Sequence, residues 1–276
     1  MRPAPFDYAE PDTVDEACAL LREHGEDAAV LAGGQSLVAQ LNAREVRPTL
    51  VLGIRRLTDL DGAETIGDTL RIGARISQRA WQRRPLAASA PLVAAALEHV
   101  GHVPTRNRGT VGGSIAFADP TAELPTTLLA LDGAVRLRCA TGERTVGAAD
   151  FFLGPFRSAR RPEELLTAVE IPLEAAGRRW VFEQRHYRRH GKVSVAAVAA
   201  ADGTAATVAI GGLGATPVRI PVAPDASIES AVATAADLLV PGVDHLVSDA
   251  HRRALLDAAL TAALTELRRA AAGRAA

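Results

Sequence analysis

The stretch Arg106-Asn107-Arg108-Gly109-Thr110-Val111-Gly112-Gly113-Ser114, running on to Ala118-Asp119-Pro120, leaves the backbone few choices. Gly109, Gly112 and Gly113 open angles closed to residues with a Cβ, and the adjacent pair lets the main chain approach a ligand closely. Thr110 and Ser114 set hydroxyls beside the N–H donors, so the segment reads as a cradle for an anion such as a pyrophosphate, built without a full positive charge. A second stretch has the same character. Ala32-Gly33-Gly34-Gln35-Ser36 follows the apolar run Ala28-Ala29-Val30-Leu31 and precedes Leu37-Val38-Ala39-Gln40-Leu41, the order of strand, glycine turn and helix N-terminus. Neither carries the Gly-Lys-Ser/Thr of a Walker A loop, and neither matches G-x-G-x-x-G. Either one alone reads more readily as a structural turn. The pair, rich in hydroxyls, leaves the two readings balanced.

A chain of 276 residues buries a large core and divides into two or three units. Its formal net charge of −1 supplies no electrostatic pull toward nucleic acid or an acidic membrane, so no nucleic-acid partner is expected. Cys18 and Cys139 lie far apart, with no Cys-x-x-Cys and no secretory leader before Phe6, which argues against disulfide or cysteine-ligated metal frameworks and for a cytoplasmic protein. No apolar run approaches the roughly 18 to 20 uncharged residues of a membrane span, so direct membrane insertion is not expected.

Along the chain, Thr13 and Glu16 fit a capping box ahead of a helix that ends near Gly25. A short strand to Leu31, a helix from Leu37 to about Arg44 and a strand over 49–54 make a small α/β lobe. After Gly62 come a strand over 69–72, a helix over 76–83 and a helix opened by Pro91. A further helix over 124–131 turns at Asp132-Gly133 into a strand over 134–139, and Leu165 to Ile171 forms a strand closed by Pro172. Gly177-Arg178-Arg179 suits a linker. Beyond it, Asp202-Gly203 between 193–200 and 204–210 signals a β-hairpin, and two closing helices include one with a stripe of Leu256, Leu260, Leu264 and Leu267.

Other candidates for chemistry are weaker. His186 and His190 could meet as metal ligands on one helix face, but no Glu stands in His-Glu-x-x-His order and Arg185, Arg188, Arg189 and Lys192 would repel a cation. A solvated basic segment is the favoured reading, with a protein interface or the edge of an anionic cofactor as the third. His99 and His102 flank Gly101 without a nucleophile motif nearby, so structural roles are favoured over acid–base work. Asp119 and Glu123 suit helix capping, or else hydrogen bonding to ribose or ribityl hydroxyls.

The two glycine stretches resemble those of the FAD-binding medium subunit of molybdenum hydroxylases, the family of the carbon monoxide dehydrogenase and xanthine dehydrogenase flavin subunits. The likeness continues in order through Phe6-Asp7-Tyr8, Leu70-Arg71-Ile72-Gly73-Ala74, Asp150-Phe151-Phe152-Leu153-Gly154-Pro155, Glu164-Leu165-Leu166 and Gly211-Gly212-Leu213-Gly214-Ala215-Thr216-Pro217-Val218-Arg219, nearly the whole chain. The resemblance implies an α+β fold: two α/β lobes, 1–55 and 56–176, forming an FAD-binding domain of the PCMH/vanillyl-alcohol-oxidase-like type, then a C-terminal antiparallel-sheet-and-helix domain, 177–276. It implies FAD held by Ala32, Gly33, Gly34, Gln35, Ser36 and Leu37 around the pyrophosphate and ribityl region, with Thr110, Val111, Gly112, Gly113 and Ser114 as the other half of the cradle. The family's acidic cofactor ligand falls by spacing on Glu123, with Asp119 its competitor. Leu166 matches an apolar position that packs on the flavin, and Lys192 stands near the isoalloxazine ring where an aromatic is often found. Neither catalytic nor metal-binding residues are implied.

Four cysteines normally hold an iron–sulfur cluster, and this chain has too few. The resemblance therefore implies an oxidoreductase complex in which a molybdenum-cofactor large subunit oxidises the substrate and a 2Fe–2S small subunit relays electrons. This chain would pass them through FAD to NAD, a quinone or another acceptor. Two alternatives remain open at this point: a stand-alone FAD-dependent oxidase or dehydrogenase on the same scaffold, and a flavin-free binding scaffold.

Overall fold

Three short parallel strands open the chain in the computed structural model, which describes residues 2–173, 178–187, 190–199, 206–223, 225–242 and 247–272. In chain order these elements are β1 (Asp7–Ala9), α1 (Val14–His24), β2 (Ala28–Leu31), α2 (Leu37–Ala43) and β3 (Leu50–Gly53). The strand from 50 to 53 lies in the middle, parallel to both others. Parallel strands cannot be joined by a tight hairpin, so helical crossovers connect them. Thr13 starts α1: its Oγ1 accepts the Glu16 N–H at 3.1 Å, while the Glu16 carboxylate accepts the N–H of Asp12 at 2.9 Å. The capping box thus forms one residue wide of its usual closure. Ala17, Cys18 and Leu21 bury the inner face of α1 against Leu50 and Leu52.

The second lobe begins with β4 (Ala63–Ile66) and β5 (Thr69–Gly73), and then holds five helices before its sheet resumes. These are α3 (Gln78–Gln82), α4 (Pro91–His99), α5 (Val103–Arg108), α6 (Val111–Phe117) and α7 (Glu123–Ala130). There follow β6 (Ala134–Cys139), β7 (Gly142–Gly147), α8 (Ala148–Phe151), β8 (Phe152–Gly154), β9 (Arg157–Ser158) and β10 (Leu165–Pro172). The five-stranded sheet has the order β4-β5-β10-β6-β7 and is antiparallel throughout, with β10 in the centre. Its buried face carries Leu70, Ile72, Val135, Leu137, Val169 and Ile171 against the helices. The first lobe docks on this sheet through α1, where Cys18 Sγ approaches the Arg138 carbonyl at 3.4 Å and Arg138 pairs with Asp15 at 2.6 Å.

The third unit is a four-stranded antiparallel meander of β11 (Arg179–Tyr187), β12 (His190–Ala199), β13 (Ala206–Gly211) and β14 (Val218–Val222), covered by α9 (Ile228–Ala236) and α10 (Asp249–Ala272). Leu256, Leu260, Leu264 and Leu267 are buried, as their spacing requires. Fully buried Arg252 fastens this unit by donating to the carbonyls of Gly212, Leu213 and Val240. The glycine of the expected linker at 177 and the Asp202-Gly203 turn lie outside the described residues, as do Arg188 and Arg189. No helix among the described residues is long and apolar enough to cross a membrane.

Two expectations need correction. His186 and His190 belong to neighbouring strands, not to one helix, because the alternating apolar run beyond them pairs as β12 with β11 and β13. The glycine stretch at 106–118 is helical over most of its length, since α5 occupies Val103–Arg108 and α6 begins at Val111. Thr110 caps α6 by accepting the Gly113 N–H on its side chain at 2.9 Å, which a helix start needs and a free loop does not.

Buried Glu164, just before β10, ties the lobe's outer loop to its sheet. Its carboxylate accepts from Arg144 through both oxygens, at 2.6 and 2.9 Å, and from the Arg161 N–H at 2.7 Å. Burial pushes this carboxyl up, but the Arg144 and Arg161 hydrogen bonds and charges outweigh it and hold the group below its ordinary value of 4.5. A depressed carboxyl stabilises the fold above its unfolded value, and that contribution fades as pH falls through the folded one. Glu164→Gln should therefore cost about 1–3 kcal/mol at neutral pH. Thermal melts taken against pH should show the wild type losing stability below pH 4.5, and the variant's curve should be flatter there.

Candidate functional site

The two lobes meet main chain to main chain. A Cβ on Gly33 would fall on the carbonyl of Arg108 and within 2.8 Å of Gly109 Cα, so only glycine lets the turn after β2 lie against the end of α5. The next residue, Gly34, has φ +74°, which aims the chain into α2. The N–H groups of Gly33, Gly34, Gln35 and Ser36 donate to no acceptor among the described residues. All four residues line a cavity of about 730 Å³ between the lobes, a size that suits a bound cofactor.

The other glycine pair works differently. A Cβ on Gly112 would come within 2.6 Å of Ala74 Cα, so this glycine lets α6 settle on the end of β5. The amides from Val111 to Ser114 are already engaged: Val111 N–H donates to Ile76, Gly112 N–H to Ala74, Gly113 N–H to the Thr110 hydroxyl and Ser114 N–H to the Thr110 carbonyl, at 2.9, 3.0, 2.9 and 3.2 Å. The run of unbonded backbone donors is therefore 33–36. The segment 110–114 contributes the wall, with Thr110, Gly112, Gly113 and Ser114 lining the cavity. Val111 is the exception in that run, buried in the core of the second lobe against the sheet.

At the C-terminal end of α6 the cavity becomes charged. Glu123, 4% exposed, is reached at its Oε1 by Lys192 Nζ at 2.8 Å and by Gln184 Nε2 at 2.9 Å. Gln184 also meets Ser194 Oγ at 2.9 Å, so two strands of the third unit hold one carboxylate of the second lobe. Glu123 Oε2 has no hydrogen bond among the described residues. Asp119 Oδ1 accepts the N–H and the hydroxyl of Thr121, both at 2.8 Å, which makes that side chain part of its own turn. Phe117, Leu165 and Leu166 give the cavity apolar surface. Arg160 lines it too, its Nη1 donating to the carbonyls of Arg161, Pro162 and Glu164; burial draws its guanidinium below the ordinary value.

Ala32, Gly33, Gly34, Gln35, Ser36, Leu37, Thr110, Gly112, Gly113, Ser114, Asp119, Glu123, Leu166 and Lys192 thus come together around one cavity. Gln78, Arg160 and the Gln184–Ser194 pair are brought to the site by tertiary contacts alone, and no local pattern in the chain marks them. His99 packs on Phe182, with ring centroids 5.1 Å apart, in keeping with a structural role. Among the described residues no group of three or more His, Cys, Asp or Glu side chains could hold a metal ion.

Residues 4–174 match the family described as FAD binding domain in molybdopterin dehydrogenase. Caffeine dehydrogenase subunit beta of Pseudomonas sp. (strain CBB1) is 35% identical over 227 residues, 79% of this chain and 77% of that one. The 6-hydroxypseudooxynicotine dehydrogenase complex subunit alpha of Paenarthrobacter nicotinovorans is 34% identical over 257 residues, 88% of this chain and 86% of the other. Among solved structures, the carbon monoxide dehydrogenase of Hydrogenophaga pseudoflava, in a form lacking the Mo-pyranopterin moiety of its molybdenum cofactor, has a chain that superposes with a TM-score of 0.90. That chain is 29% identical, and the match covers 98% of this chain and 99% of that one.

The contact between Lys192 and Glu123 makes a double-mutant test possible. Lys192→Met leaves a buried carboxylate with one neutral donor and should destabilise the chain by about 1–3 kcal/mol. Adding Glu123→Gln should recover most of that loss, because neither partner then carries charge. Urea denaturation of the four members of the cycle measures the coupling.

Proposed function

The chain belongs to the family of FAD-binding domains in molybdopterin dehydrogenases, and from that premise we propose that it relays electrons within a multi-subunit oxidoreductase. FAD is its cofactor and dehydrogenase chemistry its class. In the proposed complex a molybdenum-cofactor large subunit oxidises the substrate, and a small subunit with 2Fe–2S clusters delivers the electrons. The naming of its relatives as dehydrogenase subunits, and the molybdenum cofactor of the carbon monoxide dehydrogenase, support those partners.

The observation that carries the reading is the single cavity in which both glycine segments, Leu166 and Lys192 converge. Its residues fit FAD. The unbonded amides of Gly33, Gly34, Gln35 and Ser36 are donors for a pyrophosphate and cost no side-chain ordering. Ser114 and the free Oε2 of Glu123 suit the hydroxyls of a ribityl chain. Leu166 and Phe117 offer apolar surface for an aromatic ring, and Lys192, steadied by Glu123, places positive charge where added electron density would gather. When bound, FAD supplies the redox chemistry, accepting electrons and passing them to an external acceptor such as NAD or a quinone. The protein positions it, sets its potential and shields it from water.

A visible absorption spectrum of the purified chain, followed by denaturation and identification of the released cofactor, tests the reading. FAD should be released. Ser114→Leu puts an apolar side chain into the cavity from a position whose hydroxyl has no bond among the described residues. It should weaken FAD binding by about tenfold or more, the equivalent of about 1.4 kcal/mol, with little change in melting temperature. Co-purification of molybdenum and iron–sulfur subunits supports the complex; steady turnover by the isolated chain on a substrate of its own would replace it with the stand-alone enzyme.

A further inference from the structure

Gln78, at the start of α3, is 3% exposed, yet its Oε1 has no hydrogen-bond partner. Its Nε2 is bonded to nothing among the described residues either. Buried carboxamides are nearly always paired, and one without a partner in a cavity wall marks a place where a bound group completes it once the side chain turns toward it. Among the described residues, no other buried side-chain polar atom left without a partner belongs to a residue lining the cavity. Gln78 does line it, together with Val100, Gly101, Thr105 and Gly109. Gly109 packs over the carboxamide, since a Cβ there would come within 3.3 Å of Gln78 Oε1.

The position of this chamber follows from α6. The Gln78 N–H donates to the Gly109 carbonyl at 2.8 Å, which sets Gln78 beside Thr110 at the N-terminal end of that helix. Glu123 and Lys192 lie beyond its C-terminal end, and a helix of 7 residues is about 10 Å long. The cavity therefore has the Glu123–Lys192 pair at one end and, about a helix length away, a wall that carries one unpartnered carboxamide. A dinucleotide whose flavin occupies the first has its adenosine half left for the second. Adenine presents an amino donor beside a ring-nitrogen acceptor, and a glutamine carboxamide matches that pair with its own oxygen and nitrogen.

We propose that Gln78 is the specificity-determining residue for the adenine base of the cofactor, hydrogen-bonding the edge that carries the 6-amino group. The assignment rests on the reading of the cavity as an FAD site. It makes Gln78 a discriminator on the N7 side of the base, where a 6-oxo group in place of the amine sets two acceptors against a carboxamide that has one donor end and one acceptor end whichever way it is turned.

The test titrates the full chain, stripped of flavin, with FAD and with the analogue in which hypoxanthine replaces adenine, following flavin fluorescence. The wild type should prefer FAD. Gln78→Leu should weaken FAD binding by about tenfold to a hundredfold, as for one or two lost hydrogen bonds in a closed site, and bind the two dinucleotides with nearly equal affinity. The flavin-free variant should melt no lower than wild type, because an unpaired buried amide has been removed. If the leucine variant does not fold, Gln78→Met keeps the length of the side chain, offers the base edge neither an amide donor nor a carbonyl acceptor, and should show the same loss of preference. FAD affinity within threefold of wild type, or equal losses for both dinucleotides, would overturn the assignment while leaving the FAD site standing. A wild-type chain that takes up neither dinucleotide overturns the FAD reading, and the role of Gln78 with it.

Discussion

The close approach of main chain to main chain at Gly33 and Arg108-Gly109 is the contact on which the site depends. Two lobes with separate cores, one around a parallel sheet and one around an antiparallel sheet, must present loops to each other across a cleft without filling it. Side chains at that seam would hold the lobes apart by several ångströms. Their absence brings the free amides of 33–36 opposite the wall made by α6, and the cavity is what remains between them. The exposed ion pair of Asp15 with Arg138 adds a further contact between the first lobe and the sheet.

Much of this was legible in the chain because its signals are local. Thr13 and Gly25 bound α1, Pro91 opens α4, Pro172 closes β10, and the leucines of α10 fall where their spacing puts them. The resemblance named both glycine segments and, at the charged end, Glu123 and Lys192. What it could not separate was their physical roles. Gly112 and Gly33 look alike in sequence, but one lets a helix rest on a strand while the other opens a turn whose amides stay unbonded. The difference lies in what each glycine faces across the fold, Ala74 in one case and Arg108 in the other. Gln78 was invisible for the same reason, since nothing in Ser77-Gln78-Arg79 distinguishes a helix start from a ligand group until Gly109 is seen packed on it.

The third unit does more than extend the chain. Residues of β11 and β12 supply Gln184, Lys192 and Ser194, and with Glu123 they form the charged end of the cavity. The family match ends at 174, before any of these three side chains. The cradle and its charged end are thus encoded in separate parts of the chain and joined by one carboxylate, so the electrostatics at that end can vary in evolution while the cradle stays as it is.

The central place of β10 in the second sheet has a consequence for how the chain reaches its fold. It pairs on one side with β5, about a hundred residues earlier, and on the other with β6, and it is the last strand of that sheet to leave the ribosome. Until it arrives, two hairpins stand with facing edges unpaired and five helices have half a sheet to rest on. At about 5–20 residues per second of synthesis that interval lasts several seconds, long enough for exposed edges to find wrong partners. Nascent chains of this protein pass through a window of exposed strand edges, and it closes only when the strand that fills the gap has been made.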